Sequence, residues 1–355
     1  MQIDRARLKS YLEGLYGSPL SIKEVNLLGH GFHAEAYLVI FEAQGRARRV
    51  VLKSLRGEGF GHDYPADRAQ VLLYAHQVFD RIPDHIRSQD VGYFSEEGSM
   101  KSVRDYEEFF ILLEEARGRL YIEDMNDIKT RRSLTERDLQ RTRVLSDYLA
   151  KIHKVKYRSP ALYARRIRDL VGHGECIMGV LDSCYPKEAL SKFTSEKEME
   201  EIEKKCVEWR WRLKGLEHRL AQVHGDYHPF NILFKEDGGL LLMDRSRGEW
   251  GEPGDDVSCL SANYIWYSVM DTGGFAGPFQ ELFKLFINSY LRETGDHEML
   301  RVLAPFYAFR MLVIASPLYY PQTPDETRRK LFNFTLNVLD TEEFDPEQVG
   351  SYIKG

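Results

Sequence analysis

At Glu114-Glu115-Ala116-Arg117-Gly118 the spacing of apolar residues changes, and this change limits the possible folds more than any single motif does. Before it, apolar residues come in short runs closed by glycine. SIKEVNLLGHGFHAEAYLVIF, residues 21–41, reads as two extended segments around a glycine turn, and GRARRVVLKSL, 45–55, as a third rich in β-branched residues. VGYF (91–94) and EEFFILLEEA (107–116) add two more strands. Two helices interrupt this pattern. Leu8 to Leu15 is short and amphipathic, while Val71, Leu72, Ala75, Val78 and Phe79 fall on one face of a longer helix begun near Pro65.

After the change, helical spacing takes over. Ser133 and Glu136 form a capping-box pattern ahead of a helix with the stripe Leu145, Tyr148, Leu149 and Ile152. Met199, Ile202, Cys206, Trp209 and Leu213 step by threes and fours along another, as core packing requires. Only 221–234 and 238–246 read as strands, paired around a turn at Asp237-Gly238-Gly239, and from Val257 onward helices dominate. The expected fold is α+β and bilobal: a small antiparallel β-sheet with one main helix over 1–115, and a larger, mostly helical lobe over 116–355.

With 355 residues, 43% hydrophobic and 29% charged, the chain is long enough for two lobes and too apolar to be disordered. A net charge of −6 argues against nucleic acid as a partner, because phosphate backbones reward basic faces. Cys176, Cys184, Cys206 and Cys259 form no Cys-x-x-Cys pair, so they read as thiols in a reducing compartment rather than as a zinc site. The first residues lack an unbroken apolar core, and no apolar run reaches the ~18 residues of a membrane span. A cytoplasmic protein without a membrane partner is expected.

Four elements in a fixed order carry chemistry. Gly29-His30-Gly31-Phe32-His33-Ala34 lies between two strands, where glycines let backbone amides approach a phosphate chain. Lys53, in VVLKSL, is flanked by apolar residues, and a lysine against a buried sheet needs an anionic partner. In VHGDYHPFNILF, Asp226 and Asn231 stand five apart. The carboxylate suits an acceptor hydroxyl, and the asparagine carbonyl is a hard oxygen ligand for magnesium. Asp244 follows the apolar run LLLM at a strand end, placed to hold a divalent metal against phosphates. The same stretch has a second reading. His224, Asp226 and His228 alternate, so an extended chain would put all three on one face as metal ligands.

These residues resemble the aminoglycoside phosphotransferase and choline kinase family, small-molecule kinases of protein-kinase-like fold. The resemblance rests on HGDYHPFN (224–231), LLMD (241–244), VVLK (50–53), LLEEARG (112–118), LSDYLAKIHKV (145–155) and GEPGDDVS (251–258), and runs over residues 20 to 320. It implies that Asp226 is the catalytic base, that Asn231 and Asp244 are Mg²⁺ ligands, and that His224 packs and hydrogen-bonds within the loop. It implies that Gly29, Gly31 and Lys53 contact phosphates of ATP or GTP, that Leu113, Glu114, Glu115 and Ala116 form the adenine-contacting hinge, and that Asp256 is a structural aspartate. It makes 1–115 the nucleotide-binding lobe and 116–355 the lobe with the catalytic loop and substrate pocket.

The chain departs from the family after Asp244, where Arg245 and Ser246 replace an aromatic and an acid. Arg245 and Arg247 then either reach phosphate or substrate anions or form ion pairs. The glutamate expected opposite Lys53 is also missing, which leaves Asp67, Glu58 or Asp63 for that place. The expected activity is transfer of a γ-phosphoryl group to a hydroxyl of a small metabolite or aminoglycoside-like molecule. The alternatives are a metal-dependent hydrolase built on His224, Asp226 and His228, and an inactive nucleotide-binding regulatory protein. Tyr264, Trp266 and Tyr267 read either as an aromatic cage for an amine or as core.

Overall fold

Asp4 begins the first helix and Gly17 ends it. The Asp4 carboxylate accepts the amide protons of Ala6 and Arg7 at the start of α1 (Arg5–Tyr16), and Gly17 takes the left-handed conformation, φ 61°. The structure is a computed structural model that describes residues 3–30, 34–57, 61–79, 81, 86–187 and 192–355. By its own contacts the chain divides into two units, Met1–Leu113 and Glu114–Gly355.

The first unit is built on an antiparallel meander of β1 (Leu20–His30), β2 (Ala34–Ala43) and β3 (Arg46–Leu55), in that order. Val39 stands opposite Val25 and Val50, which sets the register and brings Val39, Phe41 and Ala43 to one face. That face packs on Leu8 and Leu12 of α1, with Leu20 completing the cluster. The period of two sends the other set outward, so Val51 is 56% exposed and Lys53 is exposed beside it.

Helix α2 (Pro65–Val78) starts at its proline, and Asp67 accepts the Tyr64 amide proton at 2.8 Å. Its expected apolar face is not buried. None of its residues is buried, and Val71 lies open. VGYF contributes β4 (Gly92–Phe94), paired with β5 (Met100–Ser102). EEFFILLEEA, expected as a strand, forms none, and Phe110 is 92% exposed. A strand needs a ladder partner, and among the described residues no strand pairs with this stretch.

The second unit opens with β6 (Arg119–Leu120) and α3 (Tyr121–Arg131), a helix the apolar spacing did not announce. Next comes α4 (Glu136–His153). Its cap sits two residues later than expected: Thr135, not Ser133, is the N-cap, and its amide and hydroxyl both donate to Asp138 at 2.7 Å. The run Ser-Leu-Thr-Glu-Arg-Asp holds both patterns, and Asp138 prevails because Arg131 also pairs with it at 2.5 Å. There follow α5 (Pro160–Gly172), α6 (Ile177–Cys184) and α7 (Glu196–Leu213), the last burying Ile202, Cys206, Trp209 and Leu213.

Four short strands come next: β7 (Ala221–Gln222), β8 (Ile232–Phe234), β9 (Leu240–Leu242) and β10 (Trp250–Gly251). β8 and β9 form the hairpin around Asp237-Gly238-Gly239, with β6 on the other side of β8, while β7 pairs with β10. Helix α8 (Pro253–Thr272) is buried along most of its length, as a helix apolar on all sides must be. Around it stand α9 (Gly277–Thr294), α10 (Ala304–Ala315), α11 (Asp325–Leu339) and the short α12 (Val349–Tyr352). Tyr264 and Tyr267 of α8 are core residues, bonded through their hydroxyls to Tyr121 (2.8 Å) and Asn126 (2.7 Å). The four cysteines are free thiols. Among the described residues no helix is long and apolar enough to cross a membrane.

Candidate active site

The loop Val223–Asn231 leaves β7 and enters β8, so paired strands hold both of its ends. Its middle is held by Asp256, which is fully buried in the first turn of α8, where the helix dipole favours a carboxylate. Asp256 Oδ2 accepts the His224 amide proton and Oδ1 that of Gly225, each at 2.7 Å. His153 Nε2 stands 3.2 Å from Oδ2, and His153 Nδ1 meets the Tyr290 hydroxyl at 2.8 Å. Burial raises the Asp256 pKa, but His153 and the loop amides outweigh it and hold the group below its ordinary value. Gly225 is required here. Its φ is 87°, and a β-carbon would stand 3.1 Å from Arg247 Cβ.

Two imidazoles sit in this loop, and hydrogen bonds assign their tautomers. His224 Nδ1 accepts the Asp226 amide proton at 3.3 Å, and the ring donates to the Met243 carbonyl from its other nitrogen. His228 Nδ1 accepts the Phe230 amide proton at 3.2 Å, which leaves Nε2–H facing Asp226 Oδ2 at 3.4 Å. A metal needs a ring lone pair, and in both rings the available one is already accepting a proton. Among the described residues no group of three or more His, Cys, Asp or Glu is arranged to hold a metal ion.

Asp226 is partly exposed, and its two oxygens differ. Oδ1 accepts from Arg310 Nη1 at 2.8 Å, with Arg247 Nε at 3.9 Å and Cys259 Sγ at 4.0 Å. Among the described residues Oδ2 has only the longer contacts, to His228 Nε2 at 3.4 Å and to Asn231 Nδ2 at 3.5 Å. Burial raises the Asp226 pKa, yet the His228 hydrogen bond and the Arg310 charge outweigh it, so the carboxyl lies well below the usual range. It is therefore ionised at any working pH, with Oδ2 the better placed to accept a further proton donor.

Asn231 is buried. Its Nδ2 donates to the Asp226 carbonyl at 3.1 Å, which turns the side-chain oxygen away from that contact. The Met243 amide donates to the Asn231 carbonyl at 2.9 Å, so Asp244 leaves the end of β9 beside the end of the Val223–Asn231 loop. Asp244 is exposed and takes the left-handed conformation (φ 51°), uncommon for an aspartate. Among the described residues nothing donates to Asn231 Oδ1 and nothing pairs with Asp244. Two hard oxygen donors on adjacent strand ends fit a magnesium ion that takes its remaining ligands from water and phosphate.

The arginines after Asp244 divide their roles. Arg245 donates to the carbonyls of Val223 (3.0 Å) and Glu249 (3.1 Å), so it fastens the loop to the strand that follows. Arg247 lies over the Phe309 ring, 5.1 Å from its centroid, with Nη1 3.7 Å from Cys176 Sγ. Arg310, from α10, is a residue the motifs missed. It is 5% exposed, and besides Asp226 it bonds the Gly225 carbonyl (3.0 Å) and Asp255 Oδ1 (2.5 Å). The signal was present: one charge stands in the otherwise uncharged helix APFYAFRMLVIA.

The remaining candidates lie elsewhere in the chain. Gly29 is in β1 opposite Ala36, next to an irregularity in the register, while Gly31 and Glu58 fall outside the described residues. Lys53 stands opposite Ala36 in β3 and is exposed, so it needs no buried counter-charge, contrary to expectation. Asp67 is taken up by the start of α2. Leu113 ends the first unit and Glu114, Glu115 and Ala116 begin the second, all outside regular structure, with Glu115 paired to Arg117 at 2.7 Å.

A buried aspartate thus clamps an Asp-x₄-Asn loop, and a second aspartate stands at the adjoining strand end. A profile of the phosphotransferase enzyme family matches residues 24–282, and the chain belongs to that family. No curated protein matches the chain. Among solved structures it is similar to amicoumacin kinase hAmiN in complex with AMP-PNP, Ca²⁺ and Ami, at 15% identity, covering 92% of this chain and 91% of that one, TM-score 0.41. It is also similar to a Plasmodium vivax ethanolamine kinase (13% identity, 96% and 82% covered, TM-score 0.37). The Streptococcus pneumoniae choline kinase LicA is a further match (15% identity, 94% and 97% covered, TM-score 0.34).

Proposed function

We propose that this protein is a small-molecule kinase that transfers the γ-phosphoryl group of ATP or GTP to a hydroxyl of a small acceptor. The observation that carries the reading is the state of Asp226: ionised, fixed through Oδ1 by Arg310, and with Oδ2 left for a new donor. An acceptor hydroxyl donating to Oδ2 is oriented with its lone pair directed at the phosphorus. Phosphoryl transfer through a loose transition state calls for little deprotonation before bond formation. A carboxylate of low basicity therefore suffices as the positioning group and as the final resting place of the proton.

Asn231 and Asp244 are the residues that hold Mg²⁺ in this reading, and the bound ion neutralises charge on the phosphate oxygens. Lys53 and the turn at Gly29 and Gly31 take the phosphate chain, while Leu113, Glu114, Glu115 and Ala116 line the base. The 1–115 portion is then the nucleotide-binding lobe and 116–355 carries catalysis and acceptor selection.

The test is a nucleotide-consumption screen of the purified protein with Mg·ATP and Mg·GTP against amino alcohols, sugars, ketosamines, aminoglycosides and hydroxy acids. Turnover of one class, with a magnesium-dependent rise in melting temperature on adding nucleotide, is the expected result. Zinc retained through His224 and His228, without any nucleotide-dependent shift, would favour a hydrolase instead. Nucleotide binding with no acceptor turned over would favour an inactive regulator.

A further inference from the structure

Near Asp226 one arginine of the second unit has no polar partner among the described residues. Arg166, on α5, is half-buried. Among the described residues it makes neither a hydrogen bond nor an ion pair. Its guanidinium lies along bare backbone: a β-carbon on Gly248 would stand 3.6 Å from its Nη1, and one on Gly251 would stand 3.8 Å from its Nε. The neighbouring Arg247 packs its Cβ against Gly225, next to Asp226. Arg247 is partly buried, packs over the Phe309 ring, and among the described residues has only weak polar partners, the Cys176 sulfur and a 3.9 Å approach to a carboxylate oxygen that Arg310 already occupies.

These groups form one neighbourhood. The Cys176 thiol, pushed up to about 11 by burial, feels the charges of Arg247, Asp255, Arg310 and Arg166 together. Arg310 bridges two of the carboxylates there, Asp226 and Asp255, and a third, Asp256, is taken by the loop amides and His153, which leaves Arg166 without a carboxylate of its own among the described residues. Glu175 is the further carboxylate at the rim. It is exposed, and among the described residues it pairs with none of the three arginines. A partly desolvated guanidinium without a counter-ion is costly to keep, and a carboxylate or phosphate matches its fork with two parallel hydrogen bonds.

We infer that Arg166 and Arg247 form the recognition site for an anionic group, a carboxylate or a phosphate, on the hydroxyl-bearing acceptor. The inference rests on the kinase reading for its reaction but not for its binding site. The acceptor is then a hydroxy acid, a hydroxy amino acid or a sugar phosphate, with its hydroxyl on Asp226 Oδ2 and its anion on the two arginines.

Two measurements on the full chain test it. In the first, Mg·ATP turnover is compared across acceptor pairs that differ in one anionic group: serine and ethanolamine, homoserine and 3-aminopropanol, glycerate and ethylene glycol, glucose 1-phosphate and glucose. An anionic member should exceed its counterpart by roughly tenfold or more in kcat/KM, the scale of losing one charged hydrogen bond. Arg166→Met should raise KM for that acceptor roughly 10–100-fold with kcat little changed, and Arg166→Lys should restore part of the loss, since a point charge replaces the fork. Preference for the uncharged or cationic members, or an unchanged KM in Arg166→Met, overturns the inference. So does a loss confined to kcat in Arg247→Met together with an unaffected Arg166→Met.

In the second, inorganic phosphate is titrated calorimetrically into the wild type, Lys53→Met and Arg166→Met. Binding that survives Lys53→Met and disappears in Arg166→Met is expected. No binding, or binding lost only in Lys53→Met, overturns the site. If phosphate binds as expected and no acceptor is phosphorylated, the anion site stands and the kinase reading falls. If acceptors are phosphorylated without regard to charge, the kinase reading stands and the anion site falls.

Discussion

In the loop Val223–Asn231 most polar atoms are matched by protein partners, Asp226 Oδ2 and Asn231 Oδ1 being left over, whereas the open face of the β1–β3 sheet carries Lys53 with no ion pair among the described residues. The loop's amides are taken by Asp256, its imidazoles by backbone and by Asp226, and its aspartate by Arg310. The sheet is anchored on one side only, where Leu8, Leu12, Val39 and Phe41 meet. Its other side shows Val51 to solvent. A role completed inside the protein leaves its geometry in the folded chain. A role completed by a ligand leaves only groups without partners. Changes in the loop should therefore damage turnover and stability, and changes on the sheet face should damage ligand affinity alone.

The largest effect tests the loop. Asp226→Asn should lower turnover by roughly 10²–10⁴, the usual worth of a positioned acid–base group. Nucleotide affinity should hardly move, because Oδ2 faces the acceptor. A variant with full turnover on a confirmed acceptor would remove Asp226 from the reaction and erase the contrast. Asp256→Ala comes next and should act on stability. It strips two buried amides and His153 of their acceptor, a loss of about 3–5 kcal/mol by the cost of breaking a buried charged network. Chemical denaturation should show a lower midpoint, and a midpoint equal to wild type would mean the loop is held by something else.

The same division explains what could be read in the residues beforehand. That Asp226, Asn231 and Asp244 stand close together follows from one loop and the hairpin after it, and that β8–β9 hairpin was visible through its Asp-Gly-Gly turn. Helix α3 was not, because YIEDMNDIKTR interleaves acids with its apolar stripe. One of those acids, Asp124, is buried against Arg141, a tertiary contact that no local pattern contains. Arg310 was missed for the same reason: its partners lie 84 and 55 positions away. The strand expected at EEFFILLEEA failed in the opposite direction. Its composition favours a strand, but a strand exists only where another backbone pairs with it.

The sheet face yields a smaller effect. Lys53→Met should raise the nucleotide KM or Kd roughly tenfold, as removal of one charged hydrogen bond does, and should leave the melting temperature within about a degree, as surface substitutions do. An isothermal titration with Mg·ATP and a thermal melt on the same sample separate the two. If the melting temperature fell together with affinity, Lys53 would be structural, and the sheet would resemble the loop after all.

The smallest expected effect is a pH slope set inside the loop, at His224. Burial holds its pKa below the ordinary value of about 6.5, against the opposing pull of the Asp256 and Asp226 charges. The unfolded chain therefore binds a proton at His224 before the folded one does. Where the unfolded state holds more protons, stability rises with pH. This contribution is complete above the ordinary histidine range and fades as pH falls through it toward the lower folded value. His224→Asn keeps an acceptor for the Asp226 amide and has no titrating ring. Its melting temperature should fall less steeply than that of the wild type as pH is lowered from 7 to 5, with the two curves converging in shape above pH 7. A steeper fall in the variant would mean that His224 is protonated in the fold. Its ring would then donate from both nitrogens, and the hydrogen bond it accepts from Asp226 would have to be redrawn.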